Sequence, residues 1–506
     1  MNAAQKTVTY DVSTGETKII RNTLSVENEA DLAVHVESNV IGLYPDYTFQ
    51  TMEGFGCALT ESSCYLLSKL SREERRKALS LWFSKEGMNA SFVRKHIDSC
   101  DYSLEEYQAV KDPIADPELL TFSIDHDRKY VIPVVKEAMA LSSHPLQVLL
   151  SPWSPPYQWK TPPELSENDA AVYGGMGMKV ETDKPIRDFG GRLKPEYYAP
   201  YARYLVKYLQ AYLKEGIPVS MLSIQNEASA ATNWDSCLWT GEQERTFLVD
   251  YLYPEMERSG LSGKVQIFIW DHNKERAIEH IDAFMKDERA AKEVDGFALH
   301  WYSGDHFEAL SLLHQKYPDK ILMHSESCGL HIPGKTTAFV LTKEQEALLA
   351  GKKMELEAAG EQKTPNQCDF EDALHYAHDI LGDLNHGLQR WIDWNLIVDR
   401  NGGPRHVPGG FAAPLVYEND GTITQTVSFA FLHTIAEAVQ PGAVRLGSSS
   451  YGREAEAAAV RNPDGSLSVL ILNESAKDIR VNLRFQGQIL RDAAIPAGSL
   501  SAIRIA

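Results

Sequence analysis

Cysteine is scarce in this chain: six residues in 506, with no two spaced as CxxC. That count excludes a disulfide scaffold and the common zinc motifs, and it fits free thiols in a reducing compartment. The opening MNAAQKTVTYDVSTGETK lacks the apolar core of a signal peptide, so the chain reads as cytoplasmic, with a trimmed secreted protein as the alternative. No apolar run reaches the roughly 18 residues that span a bilayer, so membrane insertion is not expected. Cations are short as well: 50 Lys and Arg against 70 Asp and Glu leave a formal charge of −20 and a pI near 5.3. Nucleic-acid binding needs clustered Lys and Arg and is excluded, as is binding to an anionic membrane surface.

Cofactor fingerprints are thin too. GFGCAL puts Leu59 where a dinucleotide fingerprint needs its third glycine, and neither a GxSxG elbow nor HExxH occurs. No cofactor and no metal are expected. His375, His378 and His386 with Asp379 read as surface or packing residues of one helix. Cys328, two residues after Glu326, reads as packing rather than as a nucleophile.

What is present divides the chain in two. Apolar residues make up 43%, and the length exceeds a single core. Near the start LAVHVES is strand-like. The tail alternates through EAEAAAVRN, SLSVLILNES and KDIRVNLRFQ, with an NPDG turn after the first. Residues 1–45 and 431–506 are therefore expected to build one β-sandwich from both termini.

The middle, 46–430, repeats short β-rich runs, most of them separated by amphipathic stretches. The runs are GFGCALT (54–60), FVRKHID (92–98), QVLLSPW (147–153), MLSIQNE (221–227), VQIFIWD (265–271), GFALHWY (296–302), ILMHSES (321–327) and RWIDWNL (390–396). Between them, SREERRKALSLWF opens with the capping-box pair Ser71 and Glu74. Over 196–215, Tyr201, Leu205, Tyr208, Leu209 and Tyr212 share one helical face ahead of Gly216. Eight alternating units point to an α/β fold, a closed (β/α)8 TIM barrel, with a doubly wound open sheet as the rival. Each run ends in polar or aromatic residues, and only a barrel gathers eight such ends around one pocket.

Two of those ends present a glutamate after apolar residues: Glu227 in SIQNE and Glu326 in LMHSE. A carboxylate at a buried strand end is costly unless it is used. Two facing each other separate their pKa values into one protonated acid and one ionised nucleophile, which is the equipment for cleaving a glycosidic bond. Ordinary salt-bridge partners inside the barrel are the bland alternative. Asn226 can hydrogen-bond a hydroxyl beside the reacting carbon, Tyr302 can hold the nucleophile ionised, and Arg94 can depress the pKa of Glu326. Trp153, Trp234, Trp301 and Trp394 offer flat faces for a pyranose ring.

The runs EGFGCALTES (53–62), SCDYS (99–103), LLSPWSPPYQWKT (149–161), IQNEAS (224–229), ALHWY (298–302), HSESCG (324–329) and WIDWNLIVDRNGGP (391–404) resemble glycoside hydrolase family 30, in that family's order. SCDYS followed by LLSPWSPPYQWKT is closest to its glucosylceramidase-like branch. The resemblance implies a barrel with a sandwich from both termini, and retaining cleavage of β-linked glycosides by double displacement. Glu227 would be the acid/base and Glu326 the nucleophile. Arg94, Asp101, Trp153, Asn226, His300, Tyr302 and Trp394 would line the sugar subsite, with Asp101 and Trp394 favouring gluco-configured sugars. Retention calls for carboxyl groups about 5–5.5 Å apart. The stretches 171–192 and 336–370 depart from the pattern and leave the leaving group open. The expected partner is a carbohydrate substrate, and a soluble β-glucoside or short β-gluco-oligosaccharide cut from its end is preferred. Glucosylceramidase, β-1,6-glucanase or β-xylosidase activity on the same site, or a non-catalytic sugar-binding protein, are the alternatives.

Overall fold

Alternation along the eight middle runs decides their arrangement. In a computed structural model that describes residues 2–506 apart from 34–35, 163–189, 233, 333, 336–362, 408 and 453–454, every run contains one strand. These are Gly54–Ala58, Phe92–Ile97, Gln147–Pro152, Val219–Ser223, Gln266–Asn273, Gly296–His300, Ile321–Glu326 and Arg390–Asp393. They pair in parallel in chain order, and the eighth closes on the first. The open doubly wound sheet is thereby excluded.

Inward side chains recur every second residue, so the barrel fills in layers. Phe92, Leu149, Met221, Phe268, Ala298, Met323 and Ile392 form one buried apolar cluster. Two residues further along come Arg94, Ser151, Ser223, His300 and Ser325, also buried but polar. The fifth strand breaks the period. Its register slips between Trp270 and His272, and Trp270 and Asp271 have φ of 74° and 44°. This bulge packs Trp270 against His280, with ring centroids 4.7 Å apart, and turns Asp271 into the polar layer.

The helices follow their signals with two differences. Ser71 accepts from the Glu74 amide at 3.1 Å, the first half of the expected capping box. Helix Tyr198–Lys214 buries the predicted tyrosine and leucine face. Helix Pro365–Asn385 begins inside the stretch 336–370 read as a loop, with a full capping box between Thr364 and Gln367. The remainder of that stretch, 336–362, and residues 171–189 of the Gly-rich one lie outside the described residues. Among the described residues no helix is long and apolar enough to cross a membrane.

Nine strands close on one another in the second unit: Asn2–Asp11, Glu16–Asn28, Val40–Met52, Ala443–Ser450, Glu456–Arg461, Leu467–Asn473, Ile479–Phe485, Gln488–Ile495 and Ser499–Ile505. The first strand pairs with the last, Ala3 opposite Ile505 and Thr9 opposite Ser499, so the two termini lie side by side. Two boundaries differ from expectation. Val40–Met52 carries the sandwich past residue 45 to Met52, and its second part begins at Ala443 rather than 431, because Val427–Ala438 is a helix; of LAVHVES, residues 34–35 lie outside the described residues and the others belong to no strand.

The GFG run shows how tightly the barrel strands approach. A Cβ on Gly56 would lie 2.4 Å from the Phe92 carbonyl oxygen and 2.6 Å from its Cβ. Gly56→Ala is expected to lower the unfolding free energy by about 1–3 kcal/mol, the usual cost of overpacking. Denaturant titration checks this, and an unchanged midpoint would show that strand Phe92–Ile97 can yield.

Candidate active site

Arg94 places a fully buried guanidinium in the barrel's polar layer, and its neighbours define the site. Nη2 donates to Asp271 Oδ2 at 2.8 Å and to Asn226 Oδ1 at 2.8 Å, Nε donates to Ser151 Oγ at 3.2 Å, and Nη1 donates to Glu326 Oε2. Asp271 Oδ2 also accepts from Ser151 (3.0 Å), while its Oδ1 accepts from Ser325 (2.6 Å) and lies 3.1 Å from His300 Nε2. Arg94, these hydroxyls and His300 outweigh burial and hold the Asp271 carboxyl far below the usual carboxylate range.

The two predicted glutamates are held unequally. Glu326 accepts from Arg94 and from Tyr302 Oη at 3.0 Å, and its backbone carbonyl lies 2.9 Å from His324 Nε2. His324 is anchored in turn by Asp383, 2.7 Å from Nδ1. Glu227 follows the fourth strand at φ 49°, a left-handed turn that a glutamate adopts only under constraint. Its amide donates to the Asp271 carbonyl at 2.7 Å, which sets that turn. Its carboxylate stands 3.5 Å from His300 Nδ1 and 3.6 Å from His272 Nδ1, within ion-pair range but beyond a good hydrogen bond.

Charge follows from these contacts. Burial opposes a charge on His300, but Glu326, Asp271 and Glu227 raise it to about 9. Burial lowers His272 to about 4, so that ring is neutral. Burial acts to raise Glu227, and the charged His300 together with Arg94 outweighs it, leaving the carboxyl below its ordinary value. Burial raises Glu326 against the pull of His300 and Arg94. These directions favour the proton on His300, whereas the sequence reading made Glu227 the protonated acid.

Opposite these groups, the second, third and eighth strands bring Asp101, Trp153 and Trp394 together. The two indoles stack at 5.1 Å and 25°, with the Arg94 guanidinium 4.8 Å from Trp153 and 5.6 Å from Trp394. Asp101 pairs with Arg405 Nη2 at 2.7 Å, and burial pushes its carboxyl up to about 7 despite that cation. Arg405 in turn lies 4.6 Å from the Tyr102 ring.

All nine sequence-predicted residues thus belong to one constellation, although Arg94 and His300 are buried behind it. Trp301 does not: neighbouring the inward His300, it points outward and packs at 4.4 Å from His375 and 4.8 Å from Tyr376. Cys328 is buried, its sulfur 3.5 Å from Tyr302 Oη. Sequence reasoning missed the roles of Asp271, His272 and Arg405. A buried Arg94 was the available signal, because a desolvated guanidinium demands a buried carboxylate.

Histidine and carboxylate side chains close enough together to hold an ion converge at three places among the described residues. Glu227, His272 and His300 are the group above. Between Asp379 and Asp383, beside His324, the Lys274 ammonium already sits 2.6 Å from each carboxylate. His378 bridges Glu456 and Asp305 at 2.7 and 3.1 Å. His375 and His386 do not join them; His386 stacks on Phe307. The run GLHIPGKT (329–336) has the GxxxxGK[ST] spacing of a phosphate loop, although the sequence reading held that no such motif occurs. Its Leu330 and His331 amides donate to Asp372 at 3.1 Å each, so a carboxylate of the chain engages both.

Asp271→Asn is expected to cost about 3–5 kcal/mol of stability at neutral pH, because it leaves a buried guanidinium short of a counter-ion. A depressed carboxyl contributes above its unfolded pKa and loses that contribution as pH falls through the folded value. The gap between variant and parent should therefore narrow in acid, read by thermal unfolding across pH. A gap independent of pH would contradict the pairing.

Residues 52–332 and 345–434 match the glycosyl hydrolase family 30 TIM-barrel domain, and residues 442–502 match that family's beta sandwich domain. Lysosomal acid glucosylceramidase of Mus musculus is 27% identical over 455 residues, covering 88% of this chain and 79% of the relative. Among solved structures, SrfJ from Salmonella typhimurium is 28% identical with a TM-score of 0.83 over 100% of this chain and 99% of that one. The endo-beta1,6-glucanase BT3312 is 25% identical with a TM-score of 0.77 over 99% of each chain. With both domain patterns matched in order, the chain belongs to glycosyl hydrolase family 30 and is a glycoside hydrolase.

Proposed function

We propose that the enzyme is a retaining β-glucosidase, releasing terminal glucose from soluble β-glucosides or short β-gluco-oligosaccharides. The observation that carries this reading is the unequal tethering of two buried carboxylates at one barrel mouth. Glu326, aimed by Arg94 and Tyr302, attacks the anomeric carbon, and the C1–O bond to the leaving group breaks. Glu227 supplies the proton that the leaving oxygen takes. In the second step Glu227 accepts a proton from water, the water oxygen bonds to C1, and Glu326 departs as a carboxylate. Asn226 gives its Oδ1 to Arg94, which leaves Nδ2 to donate to the sugar's 2-hydroxyl.

Support for action at a chain end comes from the wall opposite the glutamates. The stacked Trp153 and Trp394 and the Asp101–Arg405 pair are buried together beyond the ends of the second, third and eighth strands, a surround suited to one terminal sugar. A net charge of −20 disfavours an anionic lipid surface, so a soluble substrate is preferred to a glycolipid. The likeness to an endo-beta1,6-glucanase over 99% of the chain supports a second reading, internal cleavage of a β-1,6-glucan.

Glu326→Gln should abolish turnover. Glu227→Gln should lose about 10²–10⁴-fold, the usual share of general acid–base catalysis. Azide should rescue Glu227→Gln on a substrate with a good leaving group and yield the β-glycosyl azide; absence of rescue would remove the acid/base assignment. A panel of p-nitrophenyl β-glycosides followed by linkage-defined glucobioses tests the substrate. Glucose released first as the β-anomer is the expected result, whereas oligomeric products from a β-1,6-glucan would replace it with the endo reading.

A further inference from the structure

His300 is fully buried, and its two nitrogens face two different carboxylates: Nε2 lies 3.1 Å from Asp271 and Nδ1 3.5 Å from Glu227. Asp271 is itself fixed by Arg94, Ser151 and Ser325, so the ring cannot turn without breaking the Asp271 bond. The groups around it come from every neighbouring strand: Arg94 on the second, Glu227 after the fourth, Asp271 and His272 on the fifth, Tyr302 after the sixth, His324 and Glu326 on the seventh. Glu326 is the foremost charge holding His300 protonated. That charge disappears when Glu326 becomes a glycosyl ester and returns when the ester is cleaved.

We propose that His300, oriented by Asp271, is a positioning residue that stores the transferable proton of Glu227 in the resting enzyme, between one turnover and the next. This rests on the assignment of Glu227 and Glu326 above. In the resting enzyme one proton belongs to the pair, held as His300 imidazolium beside Glu227 carboxylate. As the C1–O bond to the leaving group breaks, the proton passes from Nδ1 through Glu227 to the departing oxygen. The pair is then a neutral imidazole beside a carboxylate, opposite a neutral ester. Water returns a proton to Glu227 in the second step, and the recovered charge on Glu326 draws it back to His300. Protons balance, and no other reagent is required.

The alkaline limb of kcat/KM reports the free enzyme's acid, so it should fall where the pair loses its last proton, near 9. In His300→Gln, which can still bond Asp271, that limb should move down by at least about one pH unit while the acid limb, set by Glu326, stays. The loss in kcat/KM should reach about 10²-fold on an alkyl glucoside and stay within about threefold on the 2,4-dinitrophenyl glucoside, whose leaving group needs no acid. Equal losses on both substrates with an unmoved limb would mean a structural role and overturn the proposal. The unmodified protein provides a second measurement. Histidine-selective ¹⁵N spectra near neutral pH should lose one imidazolium signal when 2-deoxy-2-fluoro-β-D-glucosyl fluoride traps Glu326, and its persistence would also overturn the proposal. If the unmodified protein hydrolyses no β-glycoside and is not trapped, the reading of the two glutamates fails first and the proposal with it.

Discussion

A guanidinium inside a barrel has to be neutralised where it stands. Arg94 has no solvent contact, and the desolvation of such a cation costs several kcal/mol unless its donors are all met by well-placed acceptors. Three of those acceptors, Asp271, Asn226 and Glu326, come from separate strands, which makes Arg94 the point through which the site is assembled. Moving any of the three by an ångström would break a charge-assisted hydrogen bond in a medium that cannot replace it. The aim of Glu326 is thus a consequence of burying Arg94. So is the bulge in the fifth strand, since only a local break in register delivers Asp271 to the barrel interior.

That bulge also marks the limit of what the residue pattern discloses. The eight barrel strands were legible as short β-rich runs, and the strand-end glutamates stood out because acids are rare after buried apolar residues. Strict alternation, however, puts Trp270 inward after Phe268 and sends Asp271 to the outside. The structure inverts this with two residues at positive φ, a conformation with no side-chain signature here. Trp301 misled in the opposite sense: it shares a motif with His300 and Tyr302, but neighbouring strand residues face opposite ways. The proton on His300 was invisible for another reason. It depends on three carboxylates from distant parts of the chain, none adjacent to His300 in sequence.

The sandwich was legible from alternation in the tail, but its first strands carry weaker patterns and pair with residues hundreds of positions away. Register such as Ala3 opposite Ile505 is set by closure of the nine strands, not by local preference. Contacts between the two units fall close to the site. His378 lies on helix Pro365–Asn385, which also carries the Asp383 that anchors His324; it bridges Glu456 of the sandwich and Asp305 of the loop following Tyr302. The sandwich thereby braces the helix and the loop that flank the two residues holding Glu326.

The charge at the barrel mouth follows from the same contacts. Arg94 and the His300 imidazolium face Asp271, Glu227 and Glu326, so two cations meet three carboxylates and one negative charge remains. Shifting the proton from His300 to Glu227 leaves that total unchanged. The sugar cation that develops as the glycosidic bond stretches therefore meets a surplus negative charge fixed before substrate arrives, in a site where few solvent dipoles must reorganise. Esterification of Glu326 would remove that charge, and delivery of the proton to the leaving group removes a positive one at the same moment. The centre then holds one cation, Arg94, against two carboxylates, Asp271 and Glu227, and its net charge is again −1. With the proposed roles of Glu227 and Glu326, both displacement steps run in the same electrostatic surroundings, which is what an enzyme needs to stabilise two oxocarbenium-like transition states with one set of residues.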